Sequence, residues 1–233
     1  MNEQNTKLNL LGNAPISKAL VSLGIPIMIG MLINALYNLA DAYFVSGLGE
    51  SPMGAISIVF PLGQVVVGLG LMFGNGAASY LSRLLGCEDK NTADTVASTA
   101  LYSSILIGAI LIILTFIFLR PVLMLLGATE TIMPYALTYA RIYILSCIFN
   151  VFNVTMNNIA ASEGAAKTTM CALLSGAVIN VGLDPLFIYT FHMGVAGAAI
   201  ATAISQFISS LVYLSYVLRK KSAFTFSIKS FSP

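Results

Sequence analysis

The chain has 233 residues, 58% of them hydrophobic and 9% charged, against roughly 25% charged in an ordinary soluble domain, so water is the wrong solvent for it. A net charge of +2, with no basic stripe interleaved with aromatics, gives nucleic-acid binding no support. Cys87, Cys147 and Cys171 sit in no CxxC or Cys/His cluster, so neither a metal centre nor a disulfide framework is indicated.

From the N-terminus, residues 1–15 form a polar tail. The apolar run that follows leads into another long apolar run rather than a soluble domain, so a cleavable signal peptide is not expected. Uncharged stretches cover 19–40, 51–82, 95–119, 142–162, 168–183 and 185–218, most of them longer than the ~20 residues that span a bilayer as helix. Barrel strands would alternate apolar and polar positions, and open sheets leave backbone groups unsatisfied in lipid; helices are the remaining solution.

The expected fold class is an all-α integral membrane protein, a six-transmembrane-helix bundle. Its helices are placed at 16–46, 52–82, 93–119, 131–160, 167–190 and 196–218, forming a 16–218 lobe followed by a basic cytoplasmic tail, 219–233, that reads as a linker. Lys7, Lys18, Arg83, Lys90, Lys167, Arg219, Lys220, Lys221 and Lys229 fall on the side of the termini, and Arg120 and Arg141 opposite. The positive-inside rule then places both termini in the cytoplasm. Turn residues mark the outer links: Gly47, Gly49 and Pro52, then Pro121, Gly127 and Pro134, then Gly194 and Gly197. Small residues, Gly68, Gly70 and Gly74 in the second helix and Ala198, Ala199 and Ala201 in the sixth, permit close helix contact in lipid.

Seven of the nine acidic residues, Glu3, Glu50, Glu88, Asp89, Asp94, Glu130 and Glu163, belong to the tail, loops or helix ends, where they can stay hydrated. Asp41 and Asp184 lie within apolar helices, and a carboxylate there marks an ion or proton pathway. The plainer alternative is a pair of interfacial groups that hydrate helix ends, with Gly47 and Pro185 close behind. Asn180 and Asp184 share a helix face, as do Asn34 and Asp41, and such oxygens suit a hard cation. Thr202, one turn beyond Ala198, adds a hydroxyl beside a backbone carbonyl, although a membrane threonine commonly bonds only its own helix. On the fourth helix Tyr139, Tyr143, Ser146, Asn150, Asn153 and Asn157 recur every three or four residues. That polar stripe either lines a cavity or holds helices together by hydrogen bonds. Pro26 favours a kink in the first helix, and His192, the sole histidine, reads as a solvated loop residue.

The run Asn180-Val-Gly-Leu-Asp184-Pro-Leu-Phe-Ile-Tyr, continued by Met193-Gly-Val-Ala-Gly-Ala-Ala-Ile-Ala-Thr202-Ala-Ile-Ser-Gln206, resembles the fifth and sixth helices of multidrug and toxic compound extrusion (MATE) transporters. Pro26 through Asn38-Leu-Ala-Asp41, Ser82-Arg-Leu-Leu-Gly86 with Asp89, and Glu163-Gly164 before Lys167 extend the likeness over about residues 15 to 220. Members of that family have two six-helix lobes around a central cavity, and this chain resembles the first. The resemblance implies multidrug efflux of organic cations against Na+ or H+ across a bacterial plasma membrane, with no cofactor beyond that coupling ion. It implies a cation or proton site at Asp41, Asn180, Asp184, Thr202 and Ala198, with Na+ as a candidate metal. A substrate cavity would use Asn34, Tyr37, Gln64, Tyr139, Asn150, Asn153 and Asn157. The second lobe, or a second chain, is an implied partner.

Three rivals remain. A lipid-linked oligosaccharide flippase of the wider superfamily would line its cavity with basic residues, for which Arg141 is the one candidate. An intramembrane aspartyl protease would carry Gly-x-Gly-Asp where this chain has Val-Gly-Leu-Asp184. An inactive truncated fragment is the third. No GxxxxGK[ST] loop is present, so ATP is not the expected energy source.

Overall fold

A computed structural model describes residues 15–219 and 221–226. The expected N-terminal tail up to residue 14, with Glu3 and Lys7, lies outside the described residues, as do Lys220, Lys229 and the end of the basic tail. Seven α-helices follow in order: α1 (Ile16–Ser46), α2 (Glu50–Gly86), α3 (Lys90–Ile117), α4 (Leu119–Leu125), α5 (Met133–Ser162), α6 (Ala166–Pro185) and α7 (Gly194–Leu218). A π-helical turn, Leu186–Thr190, extends α6. Among the described residues six segments are long and apolar enough to cross a membrane, α4 being the helix that is not.

Proline sets two of the boundaries. Pro121 has no N–H to offer the carbonyl of Ile117, and α3 ends at Ile117, with α4 restarting at Leu119 so that Pro121 falls in its first turn. Pro185 likewise cannot bond Val181; the ladder slips to the wider π register, closed by Phe191 N–H donating to Leu186 O at 2.9 Å. Pro26, by contrast, is carried inside an unbroken α1.

The long α5 is the centre of the bundle, packed by α2 and α3 on one side and by α7 on another; α6 lies against α7, and α1 lies chiefly on α6 with few contacts to α2. Close approach of α2 to α5 depends on small side chains. A Cβ added at Gly70 would stand 2.8 Å from Val154 Cβ. A buried polar bond joins α5 to α3, where Thr155 Oγ1 pairs with Ser104 Oγ at 3.1 Å. One apolar cluster holds the end where α1 stops and α7 starts, including Val45, Ala55, Leu123, Ala136 and Ile188. A second, with Leu81, Leu84, Ala93, Ala97 and Ile159, holds the opposite end.

That opposite end corrects two expectations. Glu163 is not hydrated but buried, accepting hydrogen bonds from Tyr216 Oη at 2.7 Å, from Ser222 Oγ and from the Ala223 N–H. Residues 222–226 do not trail away: Phe224 is buried in the second cluster, and Thr225 N–H donates to Asp94 Oδ1 at 2.8 Å. Apolar side chains in a nominally polar tail are the cause.

Asp89 caps α3, its Oδ1 accepting from Thr92 N–H at 3.2 Å and its Oδ2 from Thr92 Oγ1 at 2.7 Å. Those bonds to Thr92 hold the Asp89 carboxyl below its usual range. A lowered folded-state pKa stabilises above the unfolded value of about 3.9 and is lost as pH falls through the folded one. Asp89→Ala is therefore expected to lower the melting temperature at pH 7, with the difference from the unmutated chain closing below about pH 3.9. Gly70→Ala should destabilise the bundle by about 1–3 kcal/mol, the usual effect of overpacking, read from thermal unfolding in detergent.

Candidate functional site

Few contacts between α1 and α2 leave a groove between them, floored by α5 and α7. The pocket in that groove is lined by Tyr37, Asn38 and Asp41 of α1, Ile56 and Phe60 of α2, Tyr139, Tyr143, Ser146, Cys147 and Asn150 of α5, and Thr202 and Gln206 of α7. The α5 residues recur at helical spacing, so one face of a single helix supplies most of the polar wall. Tyr139 and Tyr143 stack with ring centroids 5.4 Å apart, and Tyr143 takes the space that a side chain at Gly63 would need.

Asp41 is partly exposed to this pocket, five residues before the end of α1, which is roughly 7–8 Å of helix. Asp184 is completely buried behind it, on the last turn of α6 before the π register begins. Neither oxygen of Asp184 has a hydrogen-bond partner among the described residues. The same holds for Asp41 Oδ1 and for both polar atoms of Asn180, itself buried. Buried polar atoms are ordinarily paired. A cluster of oxygens left without donors has the chemistry of a seat for a cation or a proton. Thr202 and Ala198 are both buried on α7 one turn apart, and Thr202 lines the pocket. Tyr189 Oη donates to Phe44 O at 2.6 Å and so fastens the π turn after Asp184 to the end of α1.

Not every expected residue converges here. Asn34 is exposed, its Oδ1 and carbonyl accepting from Asn38 Nδ2 at 3.1 and 2.7 Å. Gln64 is exposed on α2 and outside the pocket lining. Asn157 lies further along α5, where its Oδ1 accepts from Tyr213 Oη at 3.1 Å. Asn153 is buried behind the wall and reaches Gln206 instead. Gln206, Ile56, Phe60 and Cys147 line the pocket without having been singled out; for Gln206, its place one turn after Thr202 was the available signal. His192 is an exposed loop residue with φ of +53°.

Residues 26–186 match the MatE family model. The chain belongs to that family. Among curated relatives, multidrug export protein MepA of Staphylococcus saprophyticus subsp. saprophyticus is 33% identical over 231 residues, covering 99% of this chain and 51% of MepA. MepA of Staphylococcus aureus strain NCTC 8325 is 32% identical over the same length, again 51% of that protein. A crystal structure of MATE in the straight conformation superposes with a TM-score of 0.91 at 36% identity, over 97% of this chain and 51% of the other. A MOP superfamily transporter from Pyrococcus furiosus Vc1 gives a TM-score of 0.88 at 35% identity over 97% of this chain and 50% of its own. The chain thus spans about half the length of the relatives it matches, and its fold is that of one half of a MATE transporter.

Since Tyr143 fills the space beside Gly63, Gly63→Ala should displace its ring from the Tyr139 stack and reshape the α5 wall. A crystal structure or cryo-EM map of that variant checks this; an unmoved Tyr143 would refute it.

Proposed function

We propose that this MatE chain supplies the ion-coupling lobe of a multidrug antiporter, exchanging amphipathic organic cations for Na+ or H+. The observation that carries the reading is the group of buried oxygens on Asp41, Asn180 and Asp184 that lack hydrogen-bond partners at the wall of a pocket. Asp41, Asn180, Asp184 and Thr202, with the carbonyl of Ala198, would hold the coupling ion. The ion would neutralise charge that is expensive in a medium of low dielectric.

Position then divides the labour. Asp41 borders the pocket and Asp184 sits behind it, so one negative charge serves both the ion and an organic cation. With the ion bound, the pocket wall is less negative and an organic cation is held less tightly; with the ion gone, the cation is favoured. Mutual exclusion at Asp41 is the simplest physical form of antiport. Tyr37, Phe60, Tyr139 and Tyr143 provide aromatic faces suited to flat cations of varied shape. The pocket lining contains no Lys or Arg, which tells against an anionic lipid-linked oligosaccharide as cargo.

The basic residues favour cytoplasmic termini, which puts the pocket in the outer half of the membrane. Exposed amides on α1 and α2, Asn34 and Gln64, sit on membrane-length helices, where contact with lipid is unfavourable. A second six-helix lobe, on the same polypeptide or on another chain, is the partner that would cover them.

Ethidium efflux from energised cells tests this. The chain joined to a second lobe is expected to export, and Asp41→Asn and Asp184→Asn are each expected to reduce export to the level of cells lacking the protein. Undiminished export by Asp41→Asn would defeat the mechanism. Export by the lone chain, abolished by the same substitutions, would identify a second copy as the partner lobe.

A further inference from the structure

Gln206 belongs to the pocket lining but not to the cation site, and its neighbour gives its amide a direction. Asn153 Nδ2 donates twice to it, to the backbone carbonyl O of Gln206 at 2.9 Å and to its side-chain Oε1 at 2.9 Å. A carbonyl can only accept, so the Asn153 atom facing it must be the NH2 group, and its orientation follows from chemistry. The Gln206 atom facing that same NH2 must then be the oxygen, because two NH2 groups would oppose donor to donor. Asn153 is buried on α5 and Gln206 is half-buried on α7, so the pair is held by two packed helices.

What remains is the other branch of the Gln206 amide. Its Nε2 makes no hydrogen bond among the described residues, and Gln206 lines the pocket. Two other polar groups on that wall are engaged elsewhere: Asn38 Nδ2 donates to Asn34, and Ser146 Oγ donates to Tyr143 O at 2.6 Å. Gln206 lies four residues after Thr202, about 6 Å along the same face of α7. The pocket thereby has an acidic acceptor, Asp41, on α1 and an aimed neutral donor on α7.

We propose that Gln206, oriented by Asn153, is a specificity-determining donor that selects organic cations carrying a hydrogen-bond acceptor, such as an ester or amide carbonyl. This rests on the organic-cation reading of the pocket. Asn153 acts through Gln206 and is a positioning residue.

The test is equilibrium binding of two fluorescent cations to the full chain in lipid nanodiscs. Rhodamine 6G carries an ester carbonyl; ethidium carries amino donors and no carbonyl. The readout is the ratio of their association constants, rhodamine 6G over ethidium. Gln206→Leu is expected to lower that ratio by about three- to tenfold, the worth of one neutral hydrogen bond. Gln206→Glu should lower it further, since a carboxylate repels the ester oxygen and accepts from the amines. Asn153→Leu should lower it less than Gln206→Leu does, because the amide is freed to turn rather than removed. A ratio unmoved by Gln206→Leu and Gln206→Glu, in variants that melt within a few degrees of the unmutated chain, overturns the assignment while leaving the organic-cation reading intact. Failure of the folded, unmutated chain to bind either cation overturns both.

Discussion

Inside a hydrocarbon slab the backbone has no water to bond, so each peptide group must find its partner within the protein. That constraint orders the rest of the molecule. It makes the six long segments helical, and it decides what happens at the prolines, where a missing N–H must be absorbed by a break, as after Ile117, or by a change of register, as after Pro185. It also leaves side chains as the one place where unsatisfied polarity can be stored. Among the described residues most of it sits at Asp41, Asn180 and Asp184, with single oxygens on Asn150 and Asn153.

Polarity of this kind is expensive to maintain, and the surrounding packing is what maintains it. Asp184 is buried at the seam where α6 changes register, and Asn180 is buried one turn earlier. Buried polar atoms without partners favour any relaxation that would pair them. The Tyr189 bond to Phe44, which ties the π turn after Asp184 to the end of α1, opposes such relaxation. Deprivation of partners is thus a property of the whole bundle, not of the three residues alone.

Much of this was legible in the sequence because it is local. Long uncharged runs announced the helices, and spacing of four residues put Asn180 beside Asp184 on one face. The rest depends on contacts between distant residues. Glu163 looked like a hydrated loop acid because its partners Ser222 and Ala223 lie about sixty positions away. The stripe on α5 was visible as periodicity, but periodicity does not tell a pocket wall from a helix seam. Asn150 proved to be wall, whereas Asn153 and Asn157 are each bonded to α7. Asn34 and Gln64 carry the same amide groups on outward faces, which nothing in their neighbours' identities reveals. Gln206 was passed over although it follows Thr202 by one turn; its orientation exists only through a pairing across two helices.

The closeness of α2 to α5, where a single added carbon at Gly70 would meet Val154, has a further result for the groove. Two walls so tightly interlocked have no slack and behave as one solid block, whereas α1 leans chiefly on α6 and barely on α2. One wall of the groove is thus a tightly packed pair of helices, and the other is a single helix with few contacts to it.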